Sequence, residues 1–199
     1  MYLQVTRGVA PRDHAFPAAV HPGVLAYATP LKYPPADAVA QGVAAITAED
    51  VRWQRCDIKS ISLLANVLAR QRAVEAGAAE AILVRDGFVT EGAASNVFAV
   101  RAGVVHTPPK GRFILPGITR DLVLELAHAH GIAAREAPLA RAELETADEI
   151  WLTSSTREIL AVTRLDGRPV GRGTPGEMYA RMRALYQDYK QAFREGRAS

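Results

Sequence analysis

The sequence predicts an α+β fold, on two observations. Short runs rich in Val, Ile and Tyr are joined by tight two-residue turn signals, as in antiparallel hairpins. Three longer helical stretches are mixed with these hairpins and do not alternate with single strands, which argues against an orderly βαβ series. In chain order, residues 2–6, 24–27 and 43–47 read as strands. Residues 60–76 read as an amphipathic helix, with Ile61, Leu64, Val67 and Leu68 on one face and Gly77 as its stop. Strands at 81–85 and 88–90 flank the hairpin turn Asp86-Gly87, and strands at 96–101 and 104–107 flank Ala102-Gly103. Residues 108–117 read as a loop and 119–130 as a helix ending at Gly131. Strands at 150–153 and 159–165 enclose the polar turn Ser154-Ser155-Thr156, and Asp166-Gly167 closes a further turn. Thr174-Pro175-Gly176-Glu177 matches a capping box with proline at the first helical position, opening a last helix that runs to Phe193.

Composition bounds the function classes. The 199 residues are 49% hydrophobic and 23% charged, an ordinary globular mix that can bury a core without staples. No repeat or long linker divides them, so residues 1–199 read as one large domain. Cys56 is the only cysteine, which excludes an internal disulfide and points to a reducing compartment. The start lacks an apolar leader, and no apolar run is long enough to span a bilayer. The expectation is a cytoplasmic protein without a membrane partner. The net charge of +3 is spread along the chain, and its densest stretch, 181–197, also carries Asp188 and Glu195. That is a solvated helix face, not a nucleic-acid surface.

Four groups of residues carry chemistry. Lys59 precedes the 60–76 stretch, where an amine can be held to form an imine with an aldehyde cofactor. Glu91 ends a strand before Gly92, Ala93 and Ala94, where a carboxylate can reach a flat cationic ring. Gly117-Ile118-Thr119 opens a helix whose free N–H groups favour an anion, and the turn Thr153-Ser154-Ser155-Thr156 adds hydroxyls. Arg12 and His14 can donate to a substrate carboxylate. Taken singly, each has an ordinary reading: a surface lysine, a hairpin salt bridge, an N-cap, a charged loop. Together, a lysine, an acid and a phosphate cradle point to pyridoxal 5'-phosphate chemistry. No Cys/His spacing suits a metal site, and no Ser-His-Asp grouping stands out.

The segment Glu91-Gly-Ala-Ala-Ser95-Asn96-Val97-Phe98, then Val105-His-Thr107, then Leu115-Pro-Gly117-Ile118-Thr119-Arg120 resembles the signature of the class IV (fold type IV) pyridoxal-phosphate-dependent aminotransferases. Asp57-Ile58-Lys59-Ser60 resembles the segment that carries their Schiff-base lysine. The likeness runs from Tyr2 to the last helix. It implies the large C-terminal domain of that fold, with mixed and antiparallel sheets and surrounding helices. Within the family, Pro11-Arg12-Asp-His14-Ala-Phe16-Pro17 and 50–57 most resemble the D-amino acid aminotransferases. The resemblance implies a homodimer exchanging the amino group of a D-amino acid with a 2-oxo acid, in the manner of D-alanine and 2-oxoglutarate. Lys59 would then be the catalytic and cofactor-linked lysine, and Glu91 would hold the pyridine nitrogen. Ile118, Thr119 and Ser155 would bind the phosphate, with Ser154 and Thr156 nearby. Leu115 would pack on the ring, Ser95 and Asn96 would shape the pocket, and Arg52 would lie near the ring hydroxyl. Arg12 and His14 would hold the substrate carboxylate across the dimer.

Two departures accompany the likeness. The chain starts where the family's small N-terminal lobe should already have ended, and Ala93-Ala94 replaces residues that often carry hydroxyls. Branched-chain aminotransferase, aminodeoxychorismate lyase and a truncated, non-catalytic fragment are the alternatives.

Overall fold

A computed structural model of the chain describes residues 1–197. The chain divides into two compact units, Met1–Lys32 and Tyr33–Ser199. The first is a hairpin of β1 (Tyr2–Thr6) and β2 (Gly23–Tyr27), with Tyr2 opposite Tyr27 and their rings stacked at 5.0 Å. A long loop, 7–22, joins them, and Arg7 lies over the Phe16 ring at 3.7 Å.

The second unit contains α1 (Ala36–Gln41), β3 (Val43–Glu49), α2 (Leu64–Glu75), β4 (Glu80–Arg85), β5 (Phe88–Gly92), β6 (Asn96–Arg101) and β7 (Val104–Thr107). After them come α3 (Ile118–Ala129), β8 (Ala134–Glu136), β9 (Leu139–Ala140), α4 (Arg141–Glu145), β10 (Glu149–Ser154), β11 (Glu158–Leu165), β12 (Arg168–Pro169) and α5 (Glu177–Arg194). The strands form one ten-stranded mixed sheet in the order β8-β7-β6-β10-β11-β3-β4-β5-β9, with β12 on β11. β3 runs parallel to both β11 and β4, and β7 parallel to β8; the other pairs are antiparallel.

One connection bends this sheet. β5 and β6 stand five places apart in strand order, which would separate them by about 24 Å on a flat sheet. Only residues 93–95 join them, a link that spans at most about 14 Å. The sheet must therefore curl, and the ends of β5 and β10 meet the start of β6 at one mouth. Gly92 N donates to Ser95 O at 2.6 Å there, and any Cβ on Gly92 would overlap the Ser95 hydroxyl.

Both faces of the sheet are covered, and the strand alternation sorts residues between them. Phe98, Val100, Trp151 and Ile159 pack with Val123, Leu126 and Ala127 of α3 and with Tyr179 and Met182 of α5. The intervening Val97, Ala99, Ile150 and Leu152 pack on the other face with Ile82, Leu139 and Leu144. The hairpin turns form as the sequence predicts: Asp86-Gly87 and Ala102-Gly103 all take positive φ, between 47° and 82°.

Three expectations need correction. The predicted helix over 60–76 starts only at Leu64. Residues 60–63 instead form local turns, with Ser62 N on the Ser60 hydroxyl at 3.4 Å and Leu63 N on Ile61 O at 2.9 Å. The apolar face of that helix does not enter the core. Ile61, Leu64, Val67 and Leu68 are all more than half exposed, and α2 docks through the smaller Ala69 and Ala73. The predicted capping box at Thr174 does not form either. Gly176 is the N-cap of α5, and the Glu149 carboxylate from β10 accepts Met178 N at 2.9 Å and Tyr179 N at 2.8 Å. A Cβ at position 176 would overlap that carboxylate, so glycine allows a distant acid to do the local cap's work. The short elements α1, α4, β8, β9 and β12 carry too little periodicity to be read from sequence.

Candidate active site

A cavity of about 610 Å³ opens at the mouth made by the curl. The cofactor-site residues expected from the sequence all line it: Lys59, Arg52, Glu91, Ser95, Asn96, Leu115, Ile118, Thr119, Ser154, Ser155 and Thr156. They come from segments that the strand order gathers. Thr153 on β10 pairs with Asn96 on β6, so the 154–156 turn and the 93–96 turn are neighbours.

Glu91 is the acid of the site and is buried. It pairs with Arg52 through Oε1, and Oε2 accepts Leu115 N at 2.9 Å and Asn96 Nδ2 at 3.1 Å. A carboxylate offers about four acceptor positions, so one on Oε1 remains for a donor in the cavity. Burial raises the Glu91 carboxyl above its ordinary value, and Arg52 and the Leu115 amide oppose this without cancelling it. A further cationic donor would therefore be favoured there. Asn96 acts as a brace, since its Nδ2 also donates to Leu115 O at 2.9 Å and its Oδ1 accepts Gly117 N at 3.2 Å.

The anion end is α3. Its N-cap, Gly117, makes no side-chain cap, and a Cβ there would overlap Asn96 Oδ1. The free N–H groups of a 12-residue helix therefore stand beside the cavity. Thr119 is buried beside that helix start. Thr153 Oγ1 is buried without a hydrogen-bond partner among the described residues, and Thr153 also lines the cavity. An unpaired buried hydroxyl beside free helix amides is the donor set of an anion site. Lys59 lies exposed on the loop ahead of α2 and lines the cavity.

Ser95 lines the cavity, but its hydroxyl donates to Glu80 at 3.0 Å. Glu80 is fully buried and also holds Arg157 at 2.9 Å, just past the Ser154–Thr156 turn. Sequence reasoning missed Glu80, Arg157, Asp50 and Arg85. Charged residues at strand ends are usually solvated, and only the packing reveals that these are buried or half-buried. Arg12 and His14 belong to the hairpin unit, exposed on its 7–22 loop; they are not among the residues lining the cavity of the larger unit. Among the described residues, no His/Cys/Asp/Glu group is placed to hold a metal, and no helix is long and apolar enough to cross a membrane.

The curled mixed sheet thus gathers a lysine, a buried acid and an uncapped helix start around one cavity. Residues 1–165 match the amino-transferase class IV family, and the chain belongs to it. Among known relatives it is 47% identical over 188 residues to the D-alanine aminotransferase of Bacillus licheniformis, covering 94% of this chain and 66% of that protein. Among solved structures it is similar to the Escherichia coli branched-chain amino acid aminotransferase, with TM-score 0.76 and 30% identity, covering 99% of this chain and 66% of that one. It is also similar to the branched-chain amino acid aminotransferase from Thermobaculum terrenum in its PLP (holo) form, with TM-score 0.69 and 29% identity, covering 79% of this chain and 52% of that one. The chain thus spans about two thirds of its curated relatives' length and about half of the latter structure.

Proposed function

We propose that residues 1–199 act as the pyridoxal-phosphate-binding large domain of a D-amino acid transaminase that works on a D-amino acid and a 2-oxo acid, D-alanine and 2-oxoglutarate being the type pair. One observation carries this reading: Lys59, Glu91 and the uncapped start of α3 line a single cavity. The donor set fits the cofactor. A phosphate suits the α3 amides, Thr119 and the hydroxyls of 153–156, and a ring nitrogen suits the remaining acceptor position on Glu91. When bound, the cofactor supplies an electron sink that makes removal of the substrate's α-proton feasible.

The chain's own residues do the rest. Lys59 Nζ holds the cofactor and carries the proton to and from the substrate carbon. Glu91 keeps the ring nitrogen protonated, with Arg52 near the ring hydroxyl. Ile118, Thr119, Ser154, Ser155 and Thr156 hold the phosphate. Leu115 packs on the ring, and Ser95 and Asn96 shape the pocket around it. Arg12 and His14 hold the substrate carboxylate. The chain works as a homodimer in the cytoplasm; the exposed Leu64, Val67 and Leu68 of α2 support a covering partner, and the single cysteine supports a reducing compartment.

With pyridoxal phosphate, the purified protein should develop a cofactor absorbance band and turn over D-alanine with 2-oxoglutarate. Lys59→Ala should abolish both; a variant that keeps both sinks the proposal. Sedimentation should give twice the chain mass. The likeness to branched-chain aminotransferases favours a second reading. Comparing D-alanine with L-leucine as amino donor, in wild type and in Arg12→Ala/His14→Ala, separates the two: only D-substrate turnover should need that pair.

A further inference from the structure

Asp50 lies outside the roles above, yet it joins two of them. It follows β3 directly, with its amide on Val84 O at 2.8 Å and its carboxylate side chain fully buried. Five donors converge on that carboxylate. Oδ1 accepts Arg52 N at 3.1 Å and Arg52 Nε at 2.9 Å, and lies 3.1 Å from Arg85 Nη2. Oδ2 accepts Arg52 Nη2 and the Thr90 hydroxyl, both at 2.9 Å.

The consequence is geometric. A guanidinium is a rigid planar fork. Once Nε and Nη2 are held by one carboxylate, the direction of Nη1 is fixed, and here it meets Glu91 Oε1. The same Nη2 reaches Phe113 O at 3.0 Å, two residues before the Leu115 amide that also binds Glu91. Arg85 extends the hold to the irregular segment ahead of Lys59, donating to Arg52 O at 2.7 Å. Cys56 N, on Arg112 O at 2.8 Å, ties that segment to the same 112–115 loop. Charge is balanced within the cluster, with Arg52 and Arg85 against Asp50 and Glu91. Asp50 remains ionised to an acidity stronger than usual. Burial opposes this, and Arg52 with Thr90 more than compensates.

We propose, on the cofactor reading given above, that Asp50 is a positioning residue. It aims Arg52 at Glu91 and anchors the 51–59 segment, setting the carboxylate and the lysine of the site relative to one another. An asparagine in its place would turn an N–H₂ group toward the arginines and break the fork.

The test compares Asp50→Asn and Asp50→Glu with Asp57→Asn, a nearby acid whose ion pair is with the exposed Arg55. In cofactor-free protein, amide exchange at Leu115 should quicken at least tenfold in Asp50→Asn, while core amides such as Leu152 keep their protection. In the pyridoxal-phosphate-loaded protein, the pH titration of the cofactor absorbance should move by half a unit or more. kcat should fall at least tenfold with KM within threefold. Asp50→Glu should restore part of each effect, and Asp57→Asn should match wild type. Asp50→Asn that melts earlier but keeps the Leu115 exchange and the absorbance titration of wild type would reduce Asp50 to a structural residue and overturn the proposal. A wild-type protein with no cofactor band sinks the functional reading instead, and Leu115 exchange then still decides whether Asp50 holds the loop.

Discussion

Helices α3 and α5 share one core but begin in opposite ways. The first turn of α5 is closed by a protein carboxylate, Glu149, which takes the Met178 and Tyr179 amides and also accepts Trp151 Nε1 at 2.9 Å. α3 starts at Gly117 with no side-chain cap among the described residues, beside a cavity that Thr153, whose hydroxyl is unpaired among them, also lines. A helix N-terminus carries unsatisfied N–H groups and partial positive charge wherever it stands. Where the chain supplies its own anion, the end is structural. At α3 no side chain caps the end among the described residues, the first-turn Asp121 is paired with Lys110 and Arg120, and the end opens to a cavity, which is where the proposed phosphate would sit.

The largest effect should come from the seat the two helices share. Met182 of α5 is fully buried in the core that both helices share with the sheet, so Met182→Ala should cost about 2–5 kcal/mol in denaturant unfolding and weaken cofactor uptake only through stability. Next, Glu149→Ala should cost about 2 kcal/mol by uncapping α5, and the cofactor affinity of the folded protein should stay unchanged. Ile118→Asp should do the reverse. Ile118 is 78% exposed, so no packing is lost, and an acid in the first turn should leave stability level or raise it by about 0.3–1 kcal/mol. Pyridoxal phosphate affinity, read by absorbance titration, should fall about tenfold or more through like-charge repulsion. If Glu149→Ala weakens the cofactor as much as Ile118→Asp does, the contrast between the two ends is wrong.

The smallest effect concerns acid. Burial opposes ionisation of Glu158, but hydrogen bonds from Lys190 and Gln187 of α5, with the charges of Lys190 and Arg183, hold it below its ordinary 4.5. Its contribution is therefore complete above pH 4.5 and is lost as pH falls through the lowered folded value. Melting temperature followed from about pH 6 to about pH 3 should drop less steeply in Glu158→Gln than in wild type.

Much of the site was legible as residue types in local patterns. Lys59, Glu91 and Gly117-Ile118-Thr119 announce an amine, an acid and a helix start within short windows. Their supports were not legible. Asp50 and Glu80 sit at strand ends where an acid is ordinarily solvated; only the convergence of Arg52, Arg85 and Thr90 on one, and of Ser95 and Arg157 on the other, makes them internal. Residues 60–63 misled because the Ser60 hydroxyl takes the Ser62 amide in a local turn in place of helix. α2 misled because its larger apolar residues lie outside while Ala69 and Ala73 lie inside.

By itself, the sequence determined what short-range physics sets. The Asp-Gly and Ala-Gly turns have the residues that φ above zero demands, and the strand and helix periods follow from side-chain alternation. Only the tertiary structure decided which of these pieces meet. A three-residue link forces the sheet to curl, and the curl brings residues 52–59, 91–96, 115–119 and 153–156 to one cavity. It also decided that a carboxylate from β10 caps α5 and that none caps α3. Those contacts depend on strand order and on which side chains are shut away from water, and neither is written in any local window of the chain.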